Sequence, residues 1–447
     1  MRKKEIIGEI KKIEFPNKSI LIDKDNIYKF KGGIPGQKVK IAHKRRKNDY
    51  VEAKLIEVLE KSKLETNKTC DVFGVCGGCS YQSIPYEEEI KIKIEGIKDL
   101  YKDIYDKEIK VNPAISTNSY RNKMEYSFGD KVKDGPLVLG LHSRGRYYEI
   151  TPTTNCNIVV EGFEIIRKNL EQYFRQKGKK FYKSRRHEGF LRHLVLKYSF
   201  SKDEFLINLV TSSQDDLDER EFVNYLKNIS LKSKISTIIH TINDGLSDTV
   251  QADEIKILFG KGYIEEELLG LKFHIGPFSF FQPNPNMAKV LYTRALKLAG
   301  DISDKTVFDL YSGTGTIGQI FSKKAKRVYG IEIVEEAVEK AKETCKLNNI
   351  TNCEFIQGDV LEKIEELKSL ADIIVLDPPR EGIHPKAIKK ILNIKPEKFV
   401  YISCNPVTQA RDLKIMLENG YSIENLEILD QFPRTSHLEC IAMMVRK

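Results

Sequence analysis

The stretch Val307-Phe308-Asp309-Leu310-Tyr311-Ser312-Gly313-Thr314-Gly315-Thr316-Ile317-Gly318 decides the fold of this chain. Its first four residues read as a buried strand, and a G-x-G-x-x-G pattern opens a helix directly behind them. Glycines at these positions let the loop turn tightly and let a ligand approach the backbone. Glu332 closes the next strand-like run, Arg327 to Glu332, about twenty residues on, where a carboxylate can accept hydrogen bonds from ribose hydroxyls.

Outward from this stretch, strand and helix alternate. Ala337, Val338, Ala341 and Cys345 line one face of a helix predicted over 335–348. Further strands are predicted at 354–359, 373–377, 399–403, 426–429 and 441–445. With helices between them, these runs predict a parallel doubly wound sheet, with ligands at the carboxyl ends of its strands. A dinucleotide and S-adenosylmethionine both suit the glycine loop. Asp309, Glu332, Asp359 and Asp377 surround it with carboxylates, which suit a cationic sulfonium better than a pyrophosphate.

Three strand-end motifs add a chemistry. Asp377-Pro378-Pro379-Arg380 follows one apolar run, Ser403-Cys404-Asn405-Pro406 ends another, and the Glu of His437-Leu438-Glu439 comes after a third. A strand-end cysteine alone is most often a small core residue. Beside a carboxylate-rich nucleotide site it suits methylation of a carbon. C5 of uracil is a poor nucleophile until a thiolate adds to C6. Cys404 fits that nucleophile, and Glu439 fits the base that then removes the C5 proton.

The remaining chain is harder to read. The first sixty or so residues show short strands broken by Gly32-Gly33-Ile34-Pro35-Gly36, which predicts a five-stranded barrel of the OB type. The middle reads as mixed α+β, with a helix over 86–105. It begins with Cys70-x5-Cys76-x2-Cys79, and Cys156 follows far downstream. Four cysteines with glycines between them read as a metal site, either zinc or an iron–sulfur cluster. The domains are therefore expected at 1–62, 63–270 and 271–447.

The 447 residues carry 74 Lys and Arg against 64 Asp and Glu, a net charge of +10. The excess concentrates at His43-Lys44-Arg45-Arg46-Lys47 and from Arg175 to Arg192, where Phe181 and Tyr182 interrupt the basic residues. Cations interleaved with aromatics suit a nucleic acid partner. No apolar run approaches the roughly 18 residues of a membrane helix, and the charged N-terminus has no secretory core. A cytoplasmic protein without a membrane partner is expected, with its eight cysteines reduced or ligated.

Taken together, Phe280-Phe281-Gln282-Pro283-Asn284, the Asp309–Gly315 loop, Asp377-Pro378-Pro379-Arg380, Ser403-Cys404-Asn405-Pro406 and His437-Leu438-Glu439-Cys440 resemble the RNA (uracil-5-)-methyltransferase family. The likeness runs over nearly the whole chain and is strongest to the 23S ribosomal RNA branch. The resemblance implies a multi-domain α/β protein with a front TRAM barrel and a C-terminal Rossmann-like class I methyltransferase domain. It implies Cys404 as nucleophile and Glu439 as proton acceptor. It also implies Gln282, Tyr311, Gly313, Glu332, Asp359 and Asp377 around S-adenosylmethionine. A [4Fe–4S] cluster on Cys70, Cys76, Cys79 and Cys156 follows the ribosomal branch, and Arg121 and Lys123 resemble a family RNA-contact segment. Phe280, just before Gln282, is a candidate to stack on RNA, with a core aromatic as the alternative. A monomer acting on 23S ribosomal RNA is the expectation. The same chemistry on transfer RNA, or an RNA-binding protein on an inactive scaffold, are the alternatives.

Overall fold

The computed structural model describes residues 4–66, 70–247, 250, 252–367 and 371–447. Five strands come first: β1 (Glu5–Glu14), β2 (Lys18–Asp23), β3 (Asn26–Lys31), β4 (Lys38–Arg46) and β5 (Val51–Glu60). They close into a barrel in the order β1-β2-β3-β5-β4. Alternation along each strand turns Ile6, Ile10, Leu21, Phe30, Val39 and Ile41 inward as its core. The expected front barrel is present.

Helix α1 (Tyr86–Tyr101) and the short strand β6 (Lys110–Asn112) follow. Here the structure departs from the expected boundary between 63–270 and the rest. Residues 80–115 pack with the barrel and the C-terminal residues from Met287 onward in one unit, while Thr69–Cys79 and Ser116–Asn286 form the other. The cause is pairing. β6 hydrogen-bonds in parallel to a strand near the C-terminus, and the Tyr101 hydroxyl donates to Gln409 at 2.6 Å.

The second unit holds β7 (Lys123–Gly129), β8 (Val138–Ser143), β9 (Arg146–Thr151), α2 (Glu161–Gln176), β10 (Leu191–Ser199), β11 (Glu204–Thr211), α3 (Glu219–Lys227), β12 (Lys234–Ile242), β13 (Glu254–Phe259), β14 (Ile264–Leu268) and β15 (Leu271–Ile275). Seven of these strands make one sheet, in the order β13-β12-β11-β10-β7-β8-β9. Phe163, Ile166, Leu170 and Phe174 recur at helical spacing on α2, and pack in one core with Leu194 and Leu196 of β10.

The chain then runs through α4 (Pro285–Ala299), β16 (Thr306–Leu310), α5 (Thr316–Ser322), β17 (Arg327–Glu332), α6 (Glu335–Leu347), β18 (Cys353–Gln357), α7 (Val360–Leu367), β19 (Ile373–Leu376), α8 (Pro385–Asn393), β20 (Lys398–Ser403), α9 (Pro406–Glu418), β21 (Tyr421–Leu429) and β22 (Glu439–Arg446). The sheet order is β18-β17-β16-β19-β20-β22-β21-β6. The first five strands are parallel, as the sequence predicts. The last part is not, because β22 inserts antiparallel between β20 and β21. The loop from Asp430 to Leu438 is too short for the dozen or more residues a parallel crossover needs. The central strands β16, β19 and β20 are buried along nearly their whole length, with residues such as Phe308, Leu310, Ile374, Leu376 and Phe399 in the core.

Candidate active site

Three strand ends meet in the first unit. The antiparallel register of β20 and β22 sets Ser403 opposite Cys440, so Cys404, one step on, faces Glu439. Had β22 run parallel to β20, its first residue would lie at the far edge of the sheet from Cys404. Cys404 is half-buried, and burial with the neighbouring Glu439 charge pushes its thiol up to about 11, while a hydrogen bond from Arg380 pulls against them. Glu439 is buried, and the loss of water with the nearby Asp377 holds its carboxyl well above the ordinary range. Enclosure by protein atoms pushes Asp377 itself up to about 7.

Arg380 is the cation facing all of this, and it lowers both Cys404 and Glu439. The sequence reading noted it only as the residue after Asp-Pro-Pro. Its backbone is fastened from below, since Asn405 Nδ2 donates to its carbonyl at 2.7 Å and Thr408 Oγ1 at 3.2 Å.

A cavity of about 410 Å³ opens beside the glycine loop. Tyr311, Glu332 and Asp359 line it, together with Ile333 and His384, which the sequence reading did not single out. Glu332 receives the Gly313 N–H at 2.9 Å and the Val334 N–H at 3.0 Å. Gly313 has a left-handed φ of 52°, with open space where a side chain would begin. Gly315, at φ 77°, has Phe355 only 2.4 Å from that point, so no larger residue fits. Tyr311 is itself left-handed at φ 64°, a strained conformation for a bulky side chain. Asp309 is fully buried and receives the Gly318 N–H at 2.7 Å, and burial raises its carboxyl to about 8. Its other oxygen, Oδ1, has no hydrogen-bond partner among the described residues. Open backbone, a carboxylate at a strand end and an enclosed acidic wall together fit a nucleoside with a cationic sulfur.

A buried charge cluster fixes the loop that carries Glu439. Lys93 of α1 donates to Glu89 and to Asp430, each at 2.8 Å, with all three side chains out of contact with water. The Arg434 N–H donates to Glu89 at 2.7 Å, and Ser80 and Tyr81 donate their N–H groups to the Arg434 carbonyl. The sequence held a hint of this cluster: Glu89 and Lys93 stand at i, i+4 on the helix face that carries Ile92 and Ile97.

The other expected site residues lie in the second unit. Gln282 is buried there, and its carbonyl accepts from Asn122 Nδ2 at 3.1 Å. Phe280 is 70% exposed rather than a core aromatic. Arg121 donates from Nε to the Lys123 carbonyl at 2.9 Å, and Lys123 pairs with Glu125 at 2.6 Å.

Cys70, Cys76, Cys79 and Cys156 also lie in the second unit. Cys76 feels the charge of Cys70, and Cys156 that of Cys79 and Cys70. The Gly78 N–H points to the Cys76 sulfur at 3.4 Å. Burial pushes the Cys156 thiol up to about 12. Among the described residues no group of three or more His, Cys, Asp or Glu converges closely enough to hold a metal ion. The donors suit iron or zinc chemically, but the expected set is not gathered into a site. No helix among the described residues is long and apolar enough to cross a membrane.

Comparison with known proteins agrees with this geometry. The profile of the tRNA (uracil-5-)-methyltransferase family matches residues 85–447. An RNA methyltransferase of Clostridium tetani is 45% identical over 100% of this chain and 99% of its own length. One from Clostridium acetobutylicum is 45% identical over 98% of this chain and 97% of its own. The structure of Pyrococcus abyssi tRNA (uracil-54, C5)-methyltransferase, solved with S-adenosyl-L-homocysteine, superposes with a TM-score of 0.78 at 26% identity. It covers 98% of this chain and 100% of that one. The chain belongs to the tRNA (uracil-5-)-methyltransferase family of RNA methyltransferases.

Proposed function

We propose that this protein methylates C5 of a uridine in RNA, and that the uridine lies in 23S ribosomal RNA. The observation that carries the reaction is the pairing of Cys404 with Glu439 beside Arg380, in a chain of this family. S-adenosylmethionine supplies an electrophilic methyl group. Tyr311, Gly313, Glu332 and Asp359 would hold it, with Asp377 at the side facing Cys404.

Cys404 loses its proton and its sulfur bonds to C6 of uracil. The electron pair of the C5–C6 double bond moves onto C5 and O4. C5 then takes the methyl group and still carries its hydrogen. Glu439, as carboxylate, removes that proton, the double bond re-forms and the C6–S bond breaks, returning the thiolate. Arg380 favours the thiolate form of Cys404. A stacked uridine cannot offer C6 to the thiol, so the base is flipped out of its helix or taken from a loop.

The front barrel, read as a TRAM domain, and the four cysteines, read as a [4Fe–4S] site, support the ribosomal target. The cluster itself rests on the cysteine pattern alone; it would brace the second unit, since methyl transfer needs no electron. A second reading is favoured by one comparison: a transfer RNA enzyme matches nearly the full length of this chain. Full-length architecture therefore does not by itself separate the two targets. The test is transfer of labelled methyl to protein-free 23S RNA and to transfer RNA, followed by mapping of 5-methyluridine. Label in 23S RNA supports the first reading, and label in transfer RNA alone overturns the target while leaving the chemistry. Anaerobic purification with iron, sulfide and zinc analysis decides the metal. A cytosolic monomer completes the proposal.

A further inference from the structure

The basic stretch from Arg175 to Arg192 is less open than its sequence implies. Arg175 holds Glu171, Lys177 holds Glu221, Lys179 holds Asp215 and Lys183 holds Asp134. Arg192 is 3% exposed and donates to the carbonyls of Asn243, Gly245 and Ser247. Tyr182 is buried beneath its guanidinium, 4.2 Å away. Arg185 and Arg186 are different: both are exposed, on the turn before β10.

That turn faces the β8–β9 hairpin across a cavity of about 580 Å³. The hairpin supplies two aromatic side chains that no core accounts for. Tyr147 is 55% exposed and Tyr148 is 60% exposed. Each is nevertheless held in place on one side. His142 stacks on Tyr147 with ring centres 4.5 Å apart and planes 6° from parallel. The Arg185 guanidinium lies 4.2 Å from the centre of the Tyr148 ring. The two tyrosines meet edge to face at 5.6 Å. His142 is fixed in turn, donating from Nδ1 to the Tyr147 carbonyl at 2.6 Å and contacting the Ser127 hydroxyl through Nε2 at 3.2 Å. Exposed tyrosines normally lose rotamer freedom when they bind, but these are ordered in advance.

Charge completes the picture. Of the three acidic residues lining the cavity, Asp134 is paired with Lys183 and Glu149 with Arg146, while Asp130 accepts the Asp134 N–H. An anion entering the cavity therefore meets Arg185 and Arg186 against carboxylates that already have partners. Flat aromatic faces beside unpaired guanidiniums are what a nucleotide requires: stacking for its base, and a cation for its phosphate.

We propose that this cavity binds one unpaired nucleotide of the substrate RNA other than the uridine that is methylated, its base on the open face of Tyr148 and its phosphate on Arg185 and Arg186. The assignment rests on the RNA-methylating reading for the identity of the RNA, and it names a second point at which that RNA is gripped. Such a grip selects substrates that offer an unpaired base besides the target.

The test uses the full chain and a short fluorescein-labelled oligouridylate, with affinity read by anisotropy over a range of salt. Tyr148→Ala should weaken binding about tenfold, the loss of one base stack, and Tyr148→Phe should keep wild-type affinity. The double variant Arg185→Ala/Arg186→Ala should weaken binding and flatten its salt dependence. A 4-thiouridine version of the oligonucleotide should crosslink to the peptide carrying Tyr147 and Tyr148. In methyl transfer to cellular RNA, Tyr148→Ala should raise KM and leave kcat unchanged. Unchanged affinity in both alanine variants, or crosslinks confined to other peptides, overturns the proposal. Binding and crosslinking need no turnover, so a wild-type protein that transfers no methyl would sink the methylation reading and leave this one to be judged on its own. The side chains are exposed, and an unaltered melting temperature confirms that each variant folds.

Discussion

The catalytic end of the first unit and the cleft of the second both gather charge, but they use it in opposite ways. Asp309, Glu439 and Asp430 are carboxylates sealed from water. Burial raises Asp309 to about 8 and holds Glu439 well above the ordinary carboxylate range. In the cleft, Arg185 and Arg186 keep their water, and Arg185 lies against the Tyr148 ring. Buried charge makes a reaction and costs stability unless partnered; exposed charge makes a binding surface and costs little. The same residue types therefore predict different phenotypes in the two places.

Cys404→Ala gives the largest effect and probes the buried side alone. Methyl transfer should vanish while oligonucleotide affinity stays within twofold of wild type; measurable turnover would remove Cys404 from the nucleophile's role. Glu439→Gln comes next, with a loss of about 10²–10⁴ in turnover, the usual span for a general base. Because addition precedes proton removal, a denaturation-resistant RNA–protein adduct should accumulate, visible as a shifted band on a denaturing gel. Turnover at the wild-type rate would assign the base elsewhere.

Lys93→Met tests the cost of buried charge without touching the reacting groups. It strands Glu89 and Asp430 and should cost about 3–5 kcal/mol, read as a lower denaturant midpoint. Lys183→Met, which breaks an exposed pair in the cleft, should move the midpoint by under about 1 kcal/mol. Equal shifts in the two variants would dissolve the contrast between the regions.

Arg380→Met is the smallest. The Cys404 thiol is raised to about 11, so its thiolate grows tenfold for each pH unit below that value. Adduct formation with 5-fluorouridine RNA should therefore rise across pH 7 to 9. Arg380 holds the thiol down, so removing it should push the pKa higher and slow adduct formation about tenfold at each pH, with one pKa unit per tenfold. A variant with the wild-type pH profile would show that Arg380 does not tune the thiol.

The parts of this protein legible in sequence are those where local pattern and global position coincide. β16, β19 and β20 read as strands because both faces are buried and their apolar runs are continuous. The candidate site motifs sit at strand ends, which is why Cys404, Glu332 and Asp377 could be named. The direction of β22 was misread, although the brevity of the loop before it carried the answer. β6, at three residues, is too short to show any period, so the true boundary between units stayed hidden. Glu89 and Lys93 look like an ordinary surface pair, and only tertiary packing shows that no water reaches them. Tyr147 and Tyr148 read as part of a strand, while Phe181 and Tyr182 drew attention by standing in a basic run. Exposure reversed that ranking, and exposure is not local.

β6 also sets the order in which this protein can be made. The Asn112 side chain donates to Glu427 across a separation of 315 residues. At about 5–20 residues per second, a ribosome needs roughly 15–60 s to supply that partner. In the interval all of Ser116–Asn286 emerges and can close its own sheet, while β6 has no strand to join and Lys93 has Glu89 but not Asp430. The second unit can thus close before the first, through a period in which Cys404 does not yet exist.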